Sequence, residues 1–167
     1  EVGQLNSNVR ALIAYNTDSE VIPTVRSNGV LITQATPEGG LISGRSSVMY
    51  LDGWNWEDAL LKADDGVWLN WPSKMTTSFD FATGTREAKK NENYQTTVDE
   101  LNKFFAQAKL MATENNLYDN LKLSAMNGVL KGNDRLYIQI GNDKEALEAI
   151  SFCVAQQIKF PVIVGAV

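Results

Sequence analysis

The sequence predicts an α/β fold, and a strand–helix–strand unit near the end of the chain is the main evidence. Residues Arg135 to Ile140 are typical of a short buried strand. Asn142 and Glu145 form a capping-box pattern that predicts the start of a helix. Phe160 to Val164 is an uninterrupted apolar run and predicts a second strand. Two apolar strands joined by a helix are typical of a parallel sheet that is covered on both faces.

Apolar residues at helical spacing predict the other helices of this fold. Thr97 to Glu100 forms a second capping box, and the helix that follows it is predicted to end at Asn115 and Asn116. Leu117 to Leu130 predicts a further helical stretch that ends at Gly132. The positions expected to face the core are Leu101, Phe104, Phe105, Ala108 and Ala112 in the first helix, and Leu147, Ile150, Val154 and Ile158 in the helix after Asn142.

The first half of the chain predicts shorter elements that are separated by turns. β-Branched residues flanked by Gly, Pro and Asn favour strands there, and polar caps before apolar residues favour helices. We predict a short helix from Ser19 and Glu20 to Asn28 and Gly29, a strand over Val30 to Ala35, a loop over Leu41 to Gly44, a strand over Ser47 to Leu51, a helix over Trp56 to Ala63 capped by Asn55, a strand over Gly66 to Trp71, and little regular structure over 73–93.

Composition limits the class of protein. The 167 residues fit a single α/β domain, 1–167, and 44% hydrophobic with 21% charged residues is typical of a folded globular chain. Lys and Arg number 15 against 20 Asp and Glu, which gives a net charge of -5. That charge repels a phosphate backbone, so we expect no nucleic-acid partner. No apolar run reaches the roughly 18 to 20 residues that cross a bilayer, so we expect no membrane insertion.

The chain has no histidine and one cysteine, Cys153. Zinc sites of the Cys and His type therefore cannot form within it, and an internal disulfide is excluded. Without a histidine partner, Cys153 is interpreted as a buried apolar residue. The chain begins Glu1-Val2-Gly3, with neither an initiator methionine nor a signal-peptide pattern. We expect it to be an excised segment of a longer protein, which leaves its localisation, cytoplasmic or exported, open.

A glycine-rich segment, 37–47, is the best local candidate for a ligand-facing loop. It follows a predicted strand, which is where α/β folds place their sites, and its backbone amides could hold an anion. It matches neither the P-loop nor the Rossmann fingerprint. The alternative is that its glycines only supply the positive φ of a tight connection. The candidate substrate-proximal residues are Gly39, Gly40, Ser43, Gly44 and Arg45.

Two other groups of residues are interpreted as structural. An acidic stretch does not match the spacing of an EF-hand, so we expect a solvated face rather than a calcium site. Four tryptophans are expected to serve core or interface packing rather than substrate stacking. The acidic residues are Asp52, Glu57, Asp58, Asp64 and Asp65, and the tryptophans are Trp54, Trp56, Trp68 and Trp71.

Several segments of the chain resemble the amidohydrolase superfamily, in particular its imidazolonepropionase-like branch. The likeness extends over nearly the whole chain, is weakest over 73–95, and is most specific over 19–58. The segments that carry it are Asn6 to Ala11, Ser19 to Pro23, Arg26 to Val30, Gly39 to Ser46, Asp52 to Asp58, Leu130 to Gly132, and Leu136 to Ile140.

This resemblance implies the middle of a metal-dependent TIM-type barrel, roughly its second to sixth strands. The fold expected for this chain is thus a partial, incomplete barrel with flanking helices, with 73–95 as a mobile insertion. The family hydrolyses C–N bonds of small molecules with water activated by one or two zinc-like divalent metal ions. In the family, the strand matching Leu136 to Ile140 carries a metal-binding histidine, and Gln139 stands in its place here. Glutamine is a weak oxygen donor and a poor substitute for imidazole at zinc.

We therefore expect a fragment of an amidohydrolase-like hydrolase that acts on non-peptide or cyclic amides and is inactive as isolated. No catalytic residue, metal ligand or cofactor is assigned within the 167 residues. The alternative is a degenerate, non-catalytic paralogue that binds a ligand or a partner. An incomplete barrel leaves unpaired edges and apolar surface, so we expect the excised chain to self-associate.

Overall fold

The structure is a computed structural model that describes residues 3–80, 84–114 and 120–165. It is an α/β fold built on a curled, five-stranded half-barrel sheet with flanking helices, as the sequence predicts. A 3-10 helix, Ala11–Ala14, precedes the regular elements. These are α1 (Val21–Ser27), β1 (Ile32–Ala35), β2 (Ile42–Tyr50), β3 (Leu60–Asn70), β4 (Met75–Asp80), β5 (Thr85–Lys90), α2 (Tyr94–Glu114), α3 (Leu121–Ser124), α4 (Asn127–Lys131), β6 (Arg135–Gln139), α5 (Asp143–Gln156) and β7 (Pro161–Val164).

The strand order of the main sheet is β1-β2-β3-β6-β7, and its two halves differ in direction. β3, β6 and β7 are parallel, which confirms the predicted strand–helix–strand unit. β1 and β2 run antiparallel to their neighbours, so the sheet is mixed rather than wholly parallel. β4 and β5 form a separate hairpin between β3 and α2. The segment expected to have little regular structure thus contains a hairpin.

The main core lies between the helices and the outer face of the sheet. Val67, Leu69, Leu136 and Ile138 are fully buried there. Against them pack buried side chains of three helices, namely Leu101, Phe104, Phe105 and Ala108 of α2, Val129 of α4, and Ala149, Phe152 and Cys153 of α5. Alternate residues of β3 and β6, which include Trp68 and Tyr137, point to the opposite, inner face. The helices of the main core thus pack on the outer face of these strands.

The predicted helix over 56–63 is wrong. Asn55 does cap a turn, since its side chain accepts from the amide of Asp58 at 2.8 Å. The chain then becomes extended, and β3 begins at Leu60, which pairs with Met49 of β2. The predicted loop over 41–44 is wrong for the same reason, because Ile42 pairs with Leu69 and begins β2. Both errors arise from strand pairing between residues distant in sequence, which local patterns do not contain.

Three helices differ from their predicted form. α2 begins at Tyr94, and Thr97 lies inside it, donating to the carbonyl of Asn93 at 2.9 Å. The helical stretch predicted over 117–130 is instead two short helices, α3 and α4, and 117–119 lie outside the described residues. In α5 the predicted inward stripe is wrong for Leu147, Ile150 and Val154, which are exposed, while Ile158, just after the helix, is buried as predicted. The buried face of α5 is formed instead by Ala149, Phe152 and Cys153.

The start of α5 confirms Asn142 as its N-cap, whereas the Glu145 side chain bonds to the residue before the cap rather than to Asn142 itself. The side-chain oxygen of Asn142 accepts from the amide of Glu145 at 3.1 Å, and Glu145 accepts from the amide of Gly141 at 2.8 Å. α5 also anchors the loops around the hairpin, because Lys74 and Tyr94 both donate to Glu148. In the described part of the chain, no helix combines the length and apolarity needed to cross a bilayer.

Candidate functional site

A polar pocket of about 350 Å³ lies where the parallel strands β3 and β6 end. Asn70 and Gln139 are the last residues of these strands and are paired in the sheet register. The carboxyl ends of parallel strands are the place where barrel folds bind their ligands. The pocket is lined by Thr36, Pro37, Glu38, Gly39, Ser43, Trp68, Asn70 and Gln139.

Asn70 is held in one orientation by two hydrogen bonds. Its Nδ2 donates to the carbonyl of Gly40 at 2.7 Å and to Oγ of Ser43 at 2.9 Å. A carbonyl can only accept, so the amide nitrogen must face Gly40. Both hydrogens of the amide are thereby used. Oδ1 of Asn70 has no donor among the described residues and is left for a ligand.

Ser43 is the hydrogen-bond partner of Asn70 at the pocket. It is only 4% exposed, yet it lines the pocket. Its Oγ accepts from Asn70, so its own hydrogen must point elsewhere, and no acceptor for it is found in the described ranges. Gln139 adds a further polar group to the pocket. Its side chain is exposed, and its side-chain amide has no hydrogen-bond partner within the described chain.

Two stacked aromatic rings form the adjoining inner face. The ring centroids of Trp68 and Tyr137 are 5.1 Å apart, with an interplanar angle of 11°. Trp68 lines the pocket, and its buried indole N–H has no acceptor in the described structure. A buried donor without a partner costs free energy, so a ligand or water acceptor at this position would be stabilised. The hydroxyl of Tyr137 donates a hydrogen bond to Asp65, which holds the ring in place.

Asp65 is the buried anion of the inner face. Besides Tyr137, it accepts from Nη1 of Arg135 at 2.8 Å and pairs with Nζ of Lys62 at 2.5 Å. Burial alone raises its carboxyl pKa, but the hydrogen bonds from Lys62, Tyr137 and Arg135 outweigh it and the net pKa is lowered. Burial, together with the hydrogen bond to Asp65, raises the pKa of Tyr137. The expectation of a solvated acidic face is therefore wrong for Asp65, although it holds for Asp52, Glu57 and Asp58.

Only some of the candidate residues of the glycine-rich segment lie at the pocket. Gly39 and Ser43 line the pocket, and the carbonyl of Gly40 orients Asn70. The amides that follow are not free to hold an anion, because Leu41 and Ile42 both donate to the carbonyl of Gln4. The segment therefore shapes the pocket through carbonyl and side-chain groups.

Gly44 and Arg45 lie outside this pocket. Gly44 has a φ of 142°, and a Cβ there would be 2.5 Å from the carbonyl oxygen of Val9, so it allows close packing of the N-terminal segment. Arg45 reaches Asp134, which precedes β6, at 3.1 Å, and Asp64 at 3.6 Å. It therefore ties strands together at the opposite end of the sheet.

The tryptophans do not form one cluster. Trp71 packs edge-on against Phe152 in the main core, and Trp56 packs against the small cluster around Met49. Trp54 is 93% exposed. Packing thus accounts for Trp71 and Trp56, whereas Trp68 lines the pocket.

Three larger depressions lie elsewhere on the described residues. One, of about 500 Å³, is mostly apolar and lies between the 3-10 helix, α1 and β1. The second, of about 780 Å³, lies beside Trp54 and Arg26. The third, of about 630 Å³, lies between Lys74 and Tyr94, beside the hairpin. None of them is lined by the last residues of β3 and β6. The smaller pocket remains the better candidate active site because it combines that position with polar groups held in place.

A solved structure shares this architecture. The amidohydrolase from Thermotoga maritima MSB8 matches this chain with a TM-score of 0.74 at 16% sequence identity. The two chains share a fold. The match covers 96% of this chain and 43% of the amidohydrolase, so the chain spans less than half of that protein's length. No protein-family model matches the sequence, and no curated protein does.

The described residues do not fit the divalent metal that the family resemblance implies. No group of three or more His, Cys, Asp or Glu is close enough to hold a metal ion in the part of the chain that the structure describes. Among the described residues that line the pocket, Glu38 is the one carboxylate, and Asn70 and Gln139 offer only neutral amide oxygens. Zinc binds imidazole, thiolate and carboxylate, so we derive no catalytic step through a metal at these residues.

Proposed function

We propose that this chain is the ligand-binding part of an amidohydrolase-like barrel of the imidazolonepropionase-like branch, which hydrolyses C–N bonds of small linear or cyclic amides. The observation that carries the proposal is the pocket at the ends of β3 and β6, in a fold shared with an amidohydrolase. In this proposal the 167 residues bind substrate and are inactive alone. The groups that activate water come from residues beyond them.

The pocket suits binding better than bond cleavage. Asn70, Ser43 and Gln139 supply neutral donors and acceptors, and Trp68 supplies an aromatic wall. Cleavage of an amide requires a general base or an activated nucleophile. In the described pocket Ser43 has no base beside it, since its partner is the amide of Asn70. The residues therefore position a substrate for chemistry that is supplied elsewhere.

The test measures hydrolysis of a panel of linear and cyclic amides by the native protein, captured from its source cells and weighed intact. We expect a mass more than twice that of this chain, and turnover of at least one amide. Asn70→Ala should lower kcat/KM about tenfold or more through loss of a substrate hydrogen bond. Asn28→Ala, at the end of α1, serves as the matched control and should leave turnover unchanged. Turnover by the isolated 167 residues would contradict their assigned inactivity.

A second candidate is a non-catalytic paralogue that binds a ligand or a partner, and Gln139 favours it. If Gln139 has replaced a metal-binding histidine, the native protein should contain no stoichiometric zinc. Gln139→His would then restore zinc only if the other ligands persist. Metal analysis of both forms separates the candidates. Zinc in the unsubstituted protein together with amide turnover would eliminate the non-catalytic one.

A further inference from the structure

We propose that the depression beside Trp54 is a second ligand site and binds the ring of a neutral pyranose sugar. Its volume of about 780 Å³ is within the range of small-molecule sites, roughly 300 to 1,000 Å³. Ile32, the first residue of β1, and its register partner Tyr50, the last of β2, both line it. Because β2 runs antiparallel to β3, this is the end of the sheet opposite to Asn70. The site is therefore independent of the proposed hydrolytic function.

Trp54 is presented to solvent by a turn whose backbone is held in place. The residue is 93% exposed, the highest value among the large apolar side chains of the described residues. Its N–H donates to the carboxylate of Asp58 at 3.1 Å, and its carbonyl accepts from the hydroxyl of Thr17 at 3.3 Å. Asn55 completes the turn by accepting from the amide of Asp58 at 2.8 Å. The indole therefore belongs to a held turn, where Trp supplies a rigid contact surface at low entropy cost.

Trp54 is one of four exposed apolar or aromatic side chains on this depression. The others are Tyr50, Leu31 and Ile32. Single exposed apolar residues are ordinary on protein surfaces, but several around one concave surface are typical of a binding site. A ligand that fits here therefore needs an apolar face.

Charged side chains line the same depression and are themselves held by hydrogen bonds. Arg26 donates to both carboxylate oxygens of Asp52, each at 3.2 Å, and Asp58 accepts from the backbone of Trp54. A guanidinium has five donor hydrogens and a carboxylate has about four acceptor positions, so each keeps hydrogen-bonding capacity for a ligand. The ligand therefore also needs groups that both donate and accept.

These two requirements separate the classes of ligand. A purely apolar ligand would remove the charged groups from water without replacing their hydrogen bonds. An anion would meet two carboxylates, Asp52 and Asp58, against one guanidinium, and a cation would lie beside Arg26. A pyranose has C–H bonds on the faces of its ring and hydroxyls around its edge, and each hydroxyl both donates and accepts. Its face can cover the indole of Trp54 while its hydroxyls bond to the charged groups.

Saturation-transfer NMR on the native protein tests the site, with methyl β-D-glucopyranoside as the probe. All substituents of this ring are equatorial, so its faces carry only C–H bonds. We expect saturation of its ring protons but not of sorbitol, which has similar hydroxyls and no ring. Trp54→Ala should weaken the binding at least about tenfold through loss of the aromatic contact. Phe160→Ala, at an exposed aromatic residue outside the depression, should leave it unchanged.

Tryptophan fluorescence gives an independent measurement of the same contact. A ring that covers Trp54 removes water from the indole, so the glucoside should shift the emission to shorter wavelength. The shift should be absent from Trp54→Ala. Trp54→Phe keeps an aromatic face and should retain part of the binding seen by NMR. Because Trp54 is almost fully exposed, neither substitution removes a core side chain, and circular dichroism checks that both variants fold.

The proposal is overturned if the glucoside shows no saturation, if sorbitol is saturated equally, or if Trp54→Ala binds the glucoside as well as the unsubstituted protein does. Tetramethylammonium is titrated in parallel. Binding of this cation at Trp54 without binding of the glucoside would overturn the proposal in favour of a cation site. A lower mass of Trp54→Ala in light scattering, again without glucoside binding, would overturn it in favour of a protein contact. Amide turnover is measured separately, so the proposed hydrolysis can fail without affecting these results.

Discussion

Tyr137 stacks on Trp68 while its hydroxyl donates to the buried carboxylate of Asp65. One residue thus connects an anion deep on the inner face of the sheet to the aromatic wall of the pocket. The two rings lie on adjacent parallel strands, at paired register positions. The orientation of Trp68 therefore depends on Asp65, which does not line the pocket itself.

Asp65→Asn should destabilise the fold at pH 7 by about 2 kcal/mol, because it replaces charge-assisted hydrogen bonds with weaker ones. The folded-state pKa of Asp65 is lowered, so its stabilisation is present above the unfolded-state pKa of about 3.9 and is lost as the pH falls below it. Urea unfolding at pH 7 and pH 3 measures the difference. We expect it to shrink at pH 3.

Asp52→Asn is the matched control for this pH dependence. Asp52 also pairs with an arginine, Arg26, at 3.2 Å, but its side chain is 76% exposed. Exposed ion pairs contribute little, so this variant should change stability by less than about 0.5 kcal/mol at either pH. A constant deficit for Asp65→Asn from pH 7 to pH 3 would show that its effect is packing rather than charge.

Gly44→Ala should destabilise the chain more than Gly39→Ala. Both glycines have positive φ, which costs an alanine about 1 kcal/mol or more. Gly39 has open space around it, whereas a Cβ at Gly44 would be 2.5 Å from the carbonyl oxygen of Val9 and 2.9 Å from Pro37. We expect about 1 kcal/mol for Gly39→Ala and about 3 kcal/mol for Gly44→Ala in urea unfolding. Similar values would mean that the N-terminal segment moves away easily.

The elements that the sequence predicts correctly are those whose local signals agree with their packing. The unit of β6, α5 and β7 combines a capping box with two apolar strands, and each signal lies within a few residues of its element. The helix predicted over 56–63 fails because Leu60 pairs with Met49, an interaction that no local pattern reveals. The predicted core-facing side of α5 is wrong because this helix carries apolar residues on two sides. The apolar periodicity alone therefore does not show whether Val154 or Cys153 faces the core.

The candidate site shows the same limit. The glycine-rich segment after a predicted strand points to Gly39 and Ser43, and the family resemblance points to Gln139; in the structure all three line the candidate pocket. Asn70 was missed, although it ends a strand just before Pro72. Its role depends on two long-range contacts, the hydrogen bond to Gly40 and the register with Gln139. Only the folded chain brings these residues together.

Cys153 should be unreactive until the chain unfolds. It is 2% exposed and lies on the side of α5 that packs against the sheet, and burial raises the pKa of its thiol to about 11. The thiolate is the reactive form, and at pH 8 it is both scarce and inaccessible. Labelling with a chromogenic disulfide at pH 8 should be slow in buffer and complete within minutes in concentrated urea. Rapid labelling in buffer would place Cys153 at the surface.

The exposed apolar stripe of α5 should make the 167-residue chain self-associate. Leu147 and Val154 are 67% and 73% exposed, and Ile150 lies between them on the same face. Apolar stripes of this kind drive association in water because burying them releases their hydration. We expect light scattering to give a mass that rises with protein concentration. Leu147→Lys combined with Val154→Lys should lower that mass while changing stability by less than about 0.5 kcal/mol, as is usual for surface positions.

Phe152→Ala tests the other side of the same helix. Phe152 is buried and packs edge-on against Trp71 and Phe105, so its truncation should cost about 3 to 4 kcal/mol. It should leave the exposed stripe, and therefore association of the folded chain, unchanged. The two variants thus separate the inward and outward faces of α5. A monomer at every concentration would contradict the expected self-association, and a large loss of stability in the lysine variant would contradict the assignment of faces.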